Sequence, residues 1–146
     1  MNIKNYTSQI KAHESLAKIE NMLVQIGATD INKQYKDKIC TGVTCLYYDH
    51  QLFQTIPFHF TADTDACFAI LWKEVIRPRP ETKQNTMEQA ARTAWKIVSD
   101  LIELQCSMIL MGQAKPLQMF LANVYDIKKQ ETYYDKVMGG EMKLLN

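Results

Sequence analysis

The sequence is poor in the residues that build catalytic and cofactor-binding loops. Its five glycines form no G-x-x-x-x-G-K or G-x-G-x-x-G motif, which argues against NTP hydrolysis and dinucleotide oxidoreduction. Its four cysteines form no C-x-x-C pair and its three histidines lie far apart, so we expect no metal site and no cofactor. A G-x-S-x-G nucleophile elbow is missing as well. Together these absences predict a protein that is not an enzyme, with cysteines that serve as small buried hydrophobes.

Long apolar runs and an excess of one charge are also absent. No stretch approaches the roughly 20 apolar residues that a membrane helix needs, and the N-terminus lacks the apolar run of a signal peptide. We therefore expect a cytoplasmic protein with no membrane partner. The net charge of +1 supplies no global attraction for nucleic acid, so binding of that kind would depend on a local patch and would be weak.

The first half of the chain predicts a helix followed by an antiparallel sheet. Residues 14–26 carry apolar side chains at intervals of three and four, as in an amphipathic helix. Residues 29–38 alternate like a half-exposed strand, whereas residues 39–48 are apolar on both faces, which favours a central strand. A third strand over residues 52–61 contains Pro57, which places it at an edge or a bulge. The three strands form a meander.

Helices are predicted for the second half. The first is capped by Asp63 or Thr64 and ends at the Arg-Pro-Arg-Pro sequence that follows it. A long helix then covers residues 84–111, and short helices cover residues 116–124 and 132–138. We assign residues 1–146 to one domain of the α+β class, since this length suits a single core.

The long helix is the most informative segment. At a rise of about 1.5 Å per residue it spans roughly 40 Å, about the diameter expected of the whole domain. Beyond Leu101 its apolar side chains surround most of the helix, which is typical of a helix buried on several sides. Either later segments or a second copy must cover it. Because the later segments are short, we favour a homo-oligomer that associates through the long helix.

The candidate ligand-binding residues share a positive charge or an aromatic ring near the loop between the two long helices. Arginines and lysines there could clasp a phosphate or carboxylate, and an aromatic ring could stack on a base. The candidates are Arg77, Arg79, Arg92, Trp95, Lys96 and His59. The alternative is a solvated loop with ion pairs along the helix, Trp95 in the core, and His59 as an ordinary, partly exposed strand histidine.

Several stretches resemble one protein family. They are residues 3–7, 27–29, 91–100, Gln105, 112–114 and 120–121. In these stretches the sequence is similar to a widespread family of small uncharacterised proteins encoded by phages, prophages and related mobile elements. The resemblance spans most of the chain. The sequence departs from the family at two places: the tryptophan that the family often shows soon after the aspartate is Leu101 here, and the Leu-Pro-Tyr-like ending after Phe120 is replaced by residues 122–124. The resemblance implies a phage-related setting, and hence the cytoplasm of the host, without implying any particular chemistry.

Three functions are compatible with these features. The leading hypothesis is a non-catalytic, oligomeric, phage-type binding protein that sequesters a host factor as a counter-defence measure. The factor is an anionic small molecule, such as a phosphorylated or nucleotide signal, or a host defence protein. The alternative is an accessory nucleic-acid-binding protein of a phage or mobile element, recruited by the basic patch. An enzyme of unfamiliar type ranks third, since its groups would have to converge without a sequence motif.

Overall fold

The chain begins with a helix and a three-stranded sheet. The computed structural model describes residues 3–144. Its first four elements are α1 (Ala12–Gln25), β1 (Thr29–Lys36), β2 (Ile39–Asp49) and β3 (Gln54–Thr61). The strands are antiparallel in the order β1-β2-β3, so β2 is central and Pro57 lies on an edge strand. The predicted helix and meander are thereby confirmed.

Two strand boundaries differ from the prediction because of turns with positive φ. Asp37 and Lys38 have φ values of 51° and 68° and close the hairpin between β1 and β2, which ends β1 at Lys36. Positive φ at both central residues is the pattern of a type I′ turn, which glycine and asparagine usually occupy. Phe53 has φ 54°, so β3 begins at Gln54 rather than at residue 52.

The second half contains the predicted helices and one addition. The helices are α2 (Thr64–Trp72), α3 (Thr82–Leu110), α4 (Pro116–Met119) and α5 (Tyr133–Met138). Asp63 caps α2, since its Oδ1 accepts a 2.9 Å hydrogen bond from the N–H of Ala66. The predicted helix over residues 116–124 stops at Met119 and continues as a 3-10 turn. A small ribbon of β4 (Tyr125–Asp126) and β5 (Glu131–Thr132), absent from the prediction, precedes α5.

The core lies between the sheet and α3, against which α1 and α2 also pack. The Phe120 ring contacts Phe58 and Phe60 of β3, with ring centroids 5.4 and 5.1 Å apart. All four cysteines are free and buried, which agrees with their predicted role as small hydrophobes. Burial raises the pKa of the Cys45 thiol to about 12, so this thiol stays protonated at neutral pH.

The N-terminal segment, residues 3–8, is fastened along α3 by polar contacts. The hydroxyl of the fully buried Thr93 donates to the carbonyl oxygen of Asn5 at 2.9 Å. Gln89 Nε2 donates to the carbonyl oxygens of Tyr6 and Ser8, and Arg92 Nε donates to that of Ser8 at 3.3 Å. These bonds satisfy backbone carbonyl groups that no regular element pairs.

The second half of α3 presents an apolar stripe to solvent. We call it the α3 stripe: Leu101, Leu104, Met108 and Met111, which are 54%, 67%, 37% and 69% exposed. At about 100° per residue these positions lie on the side opposite the buried Ile102 and Cys106. No described later segment covers them. Within residues 3–144, no helix is long and apolar enough to cross a membrane.

Candidate ligand-binding cavity

A cavity of about 1080 Å³ opens where four parts of the fold meet. They are the start of α1, the β1–β2 hairpin, the junction of β3 with α2, and one face of the first half of α3. The face of α3 is built by side chains that recur every three or four residues, namely Gln84, Met87, Glu88, Ala91 and Arg92. The volume lies slightly above the range typical of small-molecule sites, about 300–1,000 Å³.

Four cations line this cavity, one from α1, two from the hairpin and one from α3. They are Lys11, Lys36, Lys38 and Arg92. Among residues 3–144, the three lysines form no ion pair. Arg92 is held in place by Ser8 and by Gln89, whose Oε1 accepts a 2.6 Å hydrogen bond from Nη2. The lysine charges are therefore available to a ligand.

Four carboxylates also line the cavity, and two of them already have partners. Asp63 caps α2, and Glu88 Oε1 accepts from Gln84 Nε2 at 3.2 Å. Asp65 lies in the first turn of α2, where a negative charge stabilises the helix dipole. Only Asp37, in the hairpin turn, has no such structural role. Two of the four carboxylates thus serve α2 and one bonds within α3, while the cations come from the start of α1, the hairpin and α3.

The start of α1 has no side-chain cap. Its N-cap residue, Lys11, is extended (φ −66°, ψ 148°), and its carbonyl accepts from the N–H groups of Glu14 and Ser15. The first N–H groups of any helix, here those of Ala12 and His13, have no carbonyl partner inside the helix. Of these two residues only Ala12 lines the cavity, so α1, unlike α2, begins beside the cavity without a side-chain acceptor.

Thr64, another residue of the cavity lining, has a buried hydroxyl. The residue is 8% exposed and lines the cavity, and its Oγ1 has no hydrogen-bond partner among the described residues. A buried hydroxyl without a partner costs about 1–3 kcal/mol. Since this oxygen is itself inaccessible to solvent, it is not a contact that the cavity offers to a ligand.

The six candidate residues named from the sequence lie in different parts of the structure. Arg92 alone among them lines the cavity. Lys96 Nζ donates to Asp100 Oδ1 at 2.7 Å, so its charge is paired within α3. The Trp95 ring is fully buried, and its Nε1 donates to the carbonyl oxygen of Cys40 at 2.9 Å. The ring is therefore unavailable for stacking on a ligand at the surface, and the alternative, a core tryptophan, describes its place.

Arg77 and Arg79 lie exposed in the loop between α2 and α3. Arg77 has φ 54°, and the N–H of Arg79 donates to Thr82 Oγ1 at 2.8 Å. Neither arginine lines the cavity. The six candidates therefore do not form one site, although the two arginines remain accessible.

His59 lies on the outer face of β3, away from the apolar stripe, as its parity in the strand predicts. Its ring stacks on Tyr125 with centroids 4.2 Å apart, and a 2.8 Å hydrogen bond joins its Nδ1 to Thr44 Oγ1. A Cβ built on Gly42 would come within 2.7 Å of His59 Cε1, so the ring needs a glycine beneath it. Burial lowers the pKa of His59, and the negative charge of Asp135 opposes this shift. His59 does not line the cavity.

The cavity residues that the sequence did not single out come from segments far apart in the chain. Lys11, Lys36, Lys38 and Thr64 converge only through the packing of α1, the hairpin and α2 around α3. One signal was visible. The predicted first helix begins without the Ser, Thr, Asp or Asn that usually caps a first turn.

Comparison with family models, curated proteins and solved structures found no match to this chain. The resemblance to a phage-encoded family therefore stays a prediction. Within residues 3–144, no group of three or more His, Cys, Asp or Glu side chains is placed to hold a metal ion.

Proposed function

We propose that this chain is a non-catalytic, phage-type binding protein that sequesters a small host molecule in the cavity at the start of α1. The observation that carries the proposal is the cavity itself: about 1080 Å³, with three unpaired lysines and free helix N–H groups at its wall. A concave site of this size suits a small molecule better than a host defence protein, which would need a broad surface.

The chemistry of the lining supports binding over catalysis. Its described residues include neither histidine nor cysteine, the side chains that most often exchange protons or attack substrates near neutral pH. His59, whose ring is hydrogen-bonded to the Thr44 hydroxyl, lies outside the cavity. The family resemblance supports a phage setting, in which removal of a host signal would act as a counter-defence measure.

Thermal unfolding of the whole chain with a panel of cyclic and linear nucleotides tests this function. A specific ligand should stabilise the protein by about 2.7 kcal/mol at about 100 times its Kd. Ala91→Trp should abolish the effect, because Ala91 lines the cavity on α3 and a large ring there would fill it. Ala17→Trp, on an exposed position of α1, is the matched control and should keep it.

Two results would reject the function. If no nucleotide and no small-molecule extract of host cells stabilises the protein, it does not sequester a small molecule. If Ala91→Trp keeps the stabilisation, the ligand binds outside the cavity.

We also propose that the protein acts as a homo-oligomer through the α3 stripe. The stripe residues are spaced three and four apart, as in the seam of a coiled coil. The N-terminal segment covers the first half of α3 and ends its contacts at Asp100, just before the stripe begins at Leu101. A second copy that paired with this face would bury the stripe without displacing any described segment.

Sedimentation of the wild-type chain at micromolar concentration tests the association. Leu104→Glu should give monomers, because it places a charge in the middle of the stripe. Phe53→Glu is the control, since Phe53 is 79% exposed in the turn before β3 and outside the stripe. A wild-type monomer, or a Leu104→Glu oligomer as large as the wild type, would rule out this interface.

A further inference from the structure

We propose that the α3 stripe pairs with the stripe of a second copy in antiparallel orientation, so that the end of each α3 helix lies against the N-terminal segment of the other copy. The inference rests on the association proposed above, because it names the arrangement of a partner that the stripe is taken to bind. Three features of α3 carry it: where its covering stops, where the helix ends, and how its charges are distributed.

The first feature is the alignment of the N-terminal segment with the α3 stripe. Residues eleven apart in an α-helix differ in direction by only about 20°. Thr93 donates to the carbonyl oxygen of Asn5 and is eleven positions before Leu104. Asp100, which accepts from Asn5 Nδ2, is eleven positions before Met111. The N-terminal segment and the stripe therefore lie on one side of α3, one beyond the other.

This alignment disfavours a parallel partner. In a parallel pair the first halves of the two α3 helices would run side by side, and both N-terminal segments would occupy the space between them. In an antiparallel pair the first half of each helix instead projects past the end of the other. The two N-terminal segments then never face each other, and the stripe is covered along its whole length.

The second feature is the end of α3, which coincides with the end of the stripe. The helix ends at Leu110, and Gly112, with φ 79°, stops its continuation. The following Ala114 and Pro116 are buried, so the chain turns into the fold. A Cβ built on Gly112 has no atom beyond its chain neighbours within 4 Å. The surroundings of this turn are therefore open to the first half of a partner helix.

The third feature is charge. Lys4 and Lys96 share the single carboxylate of Asp100, so two cations and one anion stand where the N-terminal segment meets the stripe. The C-terminal end of a helix carries a partial negative charge, and α3 has no basic residue in its last turn. In an antiparallel pair each positive cluster lies beside the C-terminus of the partner's α3. In a parallel pair the two positive clusters would face each other.

Cysteine cross-linking distinguishes the two orientations. In an antiparallel pair centred on the stripe, Leu101 faces Met111 of the partner subunit, whereas the two Leu101 positions are about 15 Å apart. Leu101→Cys mixed with Met111→Cys should therefore form more bismaleimide-linked dimers than either variant alone. Phe53→Cys is the control for exposed positions outside the stripe. The four native cysteines are buried and should not react.

A charge substitution gives a second test. Lys4→Gln should raise the dissociation constant about two- to fivefold in sedimentation equilibrium, since it removes a cation from beside the C-terminus of the partner's α3. Lys18→Gln is the matched control, because Lys18 also pairs with α3, at Glu103, on another face of the helix. In a parallel pair Lys4→Gln would leave association unchanged or strengthen it, because it reduces repulsion between like charges.

The outcomes separate this inference from the association itself. If the wild type is a monomer, the association fails and the arrangement fails with it. If Leu104→Glu breaks a wild-type oligomer but Leu101→Cys alone cross-links as well as the mixture does, the association stands and the antiparallel arrangement is wrong. Cross-linking no greater than that of Phe53→Cys in every sample would also overturn it. Preferential cross-linking in the mixture, with weaker association of Lys4→Gln, establishes the arrangement.

Discussion

Asn5 Nδ2 donates a 3.0 Å hydrogen bond to Oδ2 of Asp100, across 95 positions of sequence. The same carboxylate is paired with Lys96 at 2.7 Å and with Lys4 at 3.1 Å. Asp100 therefore joins the N-terminal segment to the middle of α3. The segments that contribute these residues are far apart in the sequence and contact each other in the fold.

Loss of the Asp100 charge should loosen this junction. Burial alone would raise the pKa of Asp100, but hydrogen bonds from Lys96, Asn5 and Lys4 outweigh it and hold that pKa well below its usual range. Asp100→Asn should lower the free energy of unfolding by about 1–3 kcal/mol at pH 7, as measured by urea denaturation. Asp30→Asn, at an exposed position of β1, is the control and should change it little.

The contribution of Asp100 to the free energy of unfolding should disappear in acid. A carboxyl with a depressed folded-state pKa stabilises the fold above its unfolded pKa, about 3.9, and loses this contribution as the pH falls below it. The difference between wild type and Asp100→Asn should therefore shrink steadily below pH 4. A difference that stays constant down to pH 2 would contradict the paired state of this carboxylate.

Trp95→Phe should destabilise the fold by about 2–4 kcal/mol, because it removes the bond to the Cys40 carbonyl and leaves a void in a fully buried site. Chemical denaturation monitored by circular dichroism gives this value. Trp72→Phe serves as the control, since Trp72 is half-buried and stacks on Phe68 at 5.5 Å. Equal costs at the two positions would show that Trp95 does not connect α3 to the sheet.

Gly42→Ala should cost about 1–3 kcal/mol of stability, because the added methyl group would collide with the His59 ring. Removal of that ring should relieve the collision. In the His59→Ala background, Gly42→Ala should therefore cost less than about 0.5 kcal/mol, which a double-mutant cycle measures as coupling. Additive effects of the two substitutions would disprove the close approach of these residues.

Stability should fall in mildly acidic solution through His59. Since burial lowers its folded-state pKa, the unfolded chain takes up the proton first, at about pH 6.5. The free energy of unfolding is thus highest above this pH and declines as the pH drops through the window between the unfolded and the lower folded pKa. Urea midpoints between pH 7.5 and 5 should decline more in the wild type than in His59→Gln. Parallel curves would mean that His59 titrates normally.

Periodic patterns predicted most of the fold. The alternation in β1 and the spacing along α3 identify these elements, because burial of one face imposes the period of the backbone on the sequence. The hairpin between β1 and β2 was predicted, but the position of its turn at Asp37 and Lys38 was not, since both residues have positive φ without the usual glycine or asparagine. The β4–β5 ribbon escaped because strands of two residues have no period.

The candidate site was harder to predict for a different reason. Arg92, Trp95 and Lys96 have donors suited to a ligand, yet in the fold these donors bond to Ser8, Cys40 and Asp100. A side-chain donor that satisfies the protein's own acceptor looks the same in sequence as one kept for a ligand. The cavity residues, in turn, come from four separate segments whose meeting point depends on tertiary packing.

Sequestration of a host molecule is tested by identifying the small molecules that co-purify with the protein from host cells. The wild-type chain and Ala91→Trp would be purified from host cells at low salt and denatured, and the released small molecules would be identified by mass spectrometry. We expect one small molecule, close to one per chain, from the wild type and none from the variant. The same compounds in equal amounts from both proteins, or none from either, would contradict it.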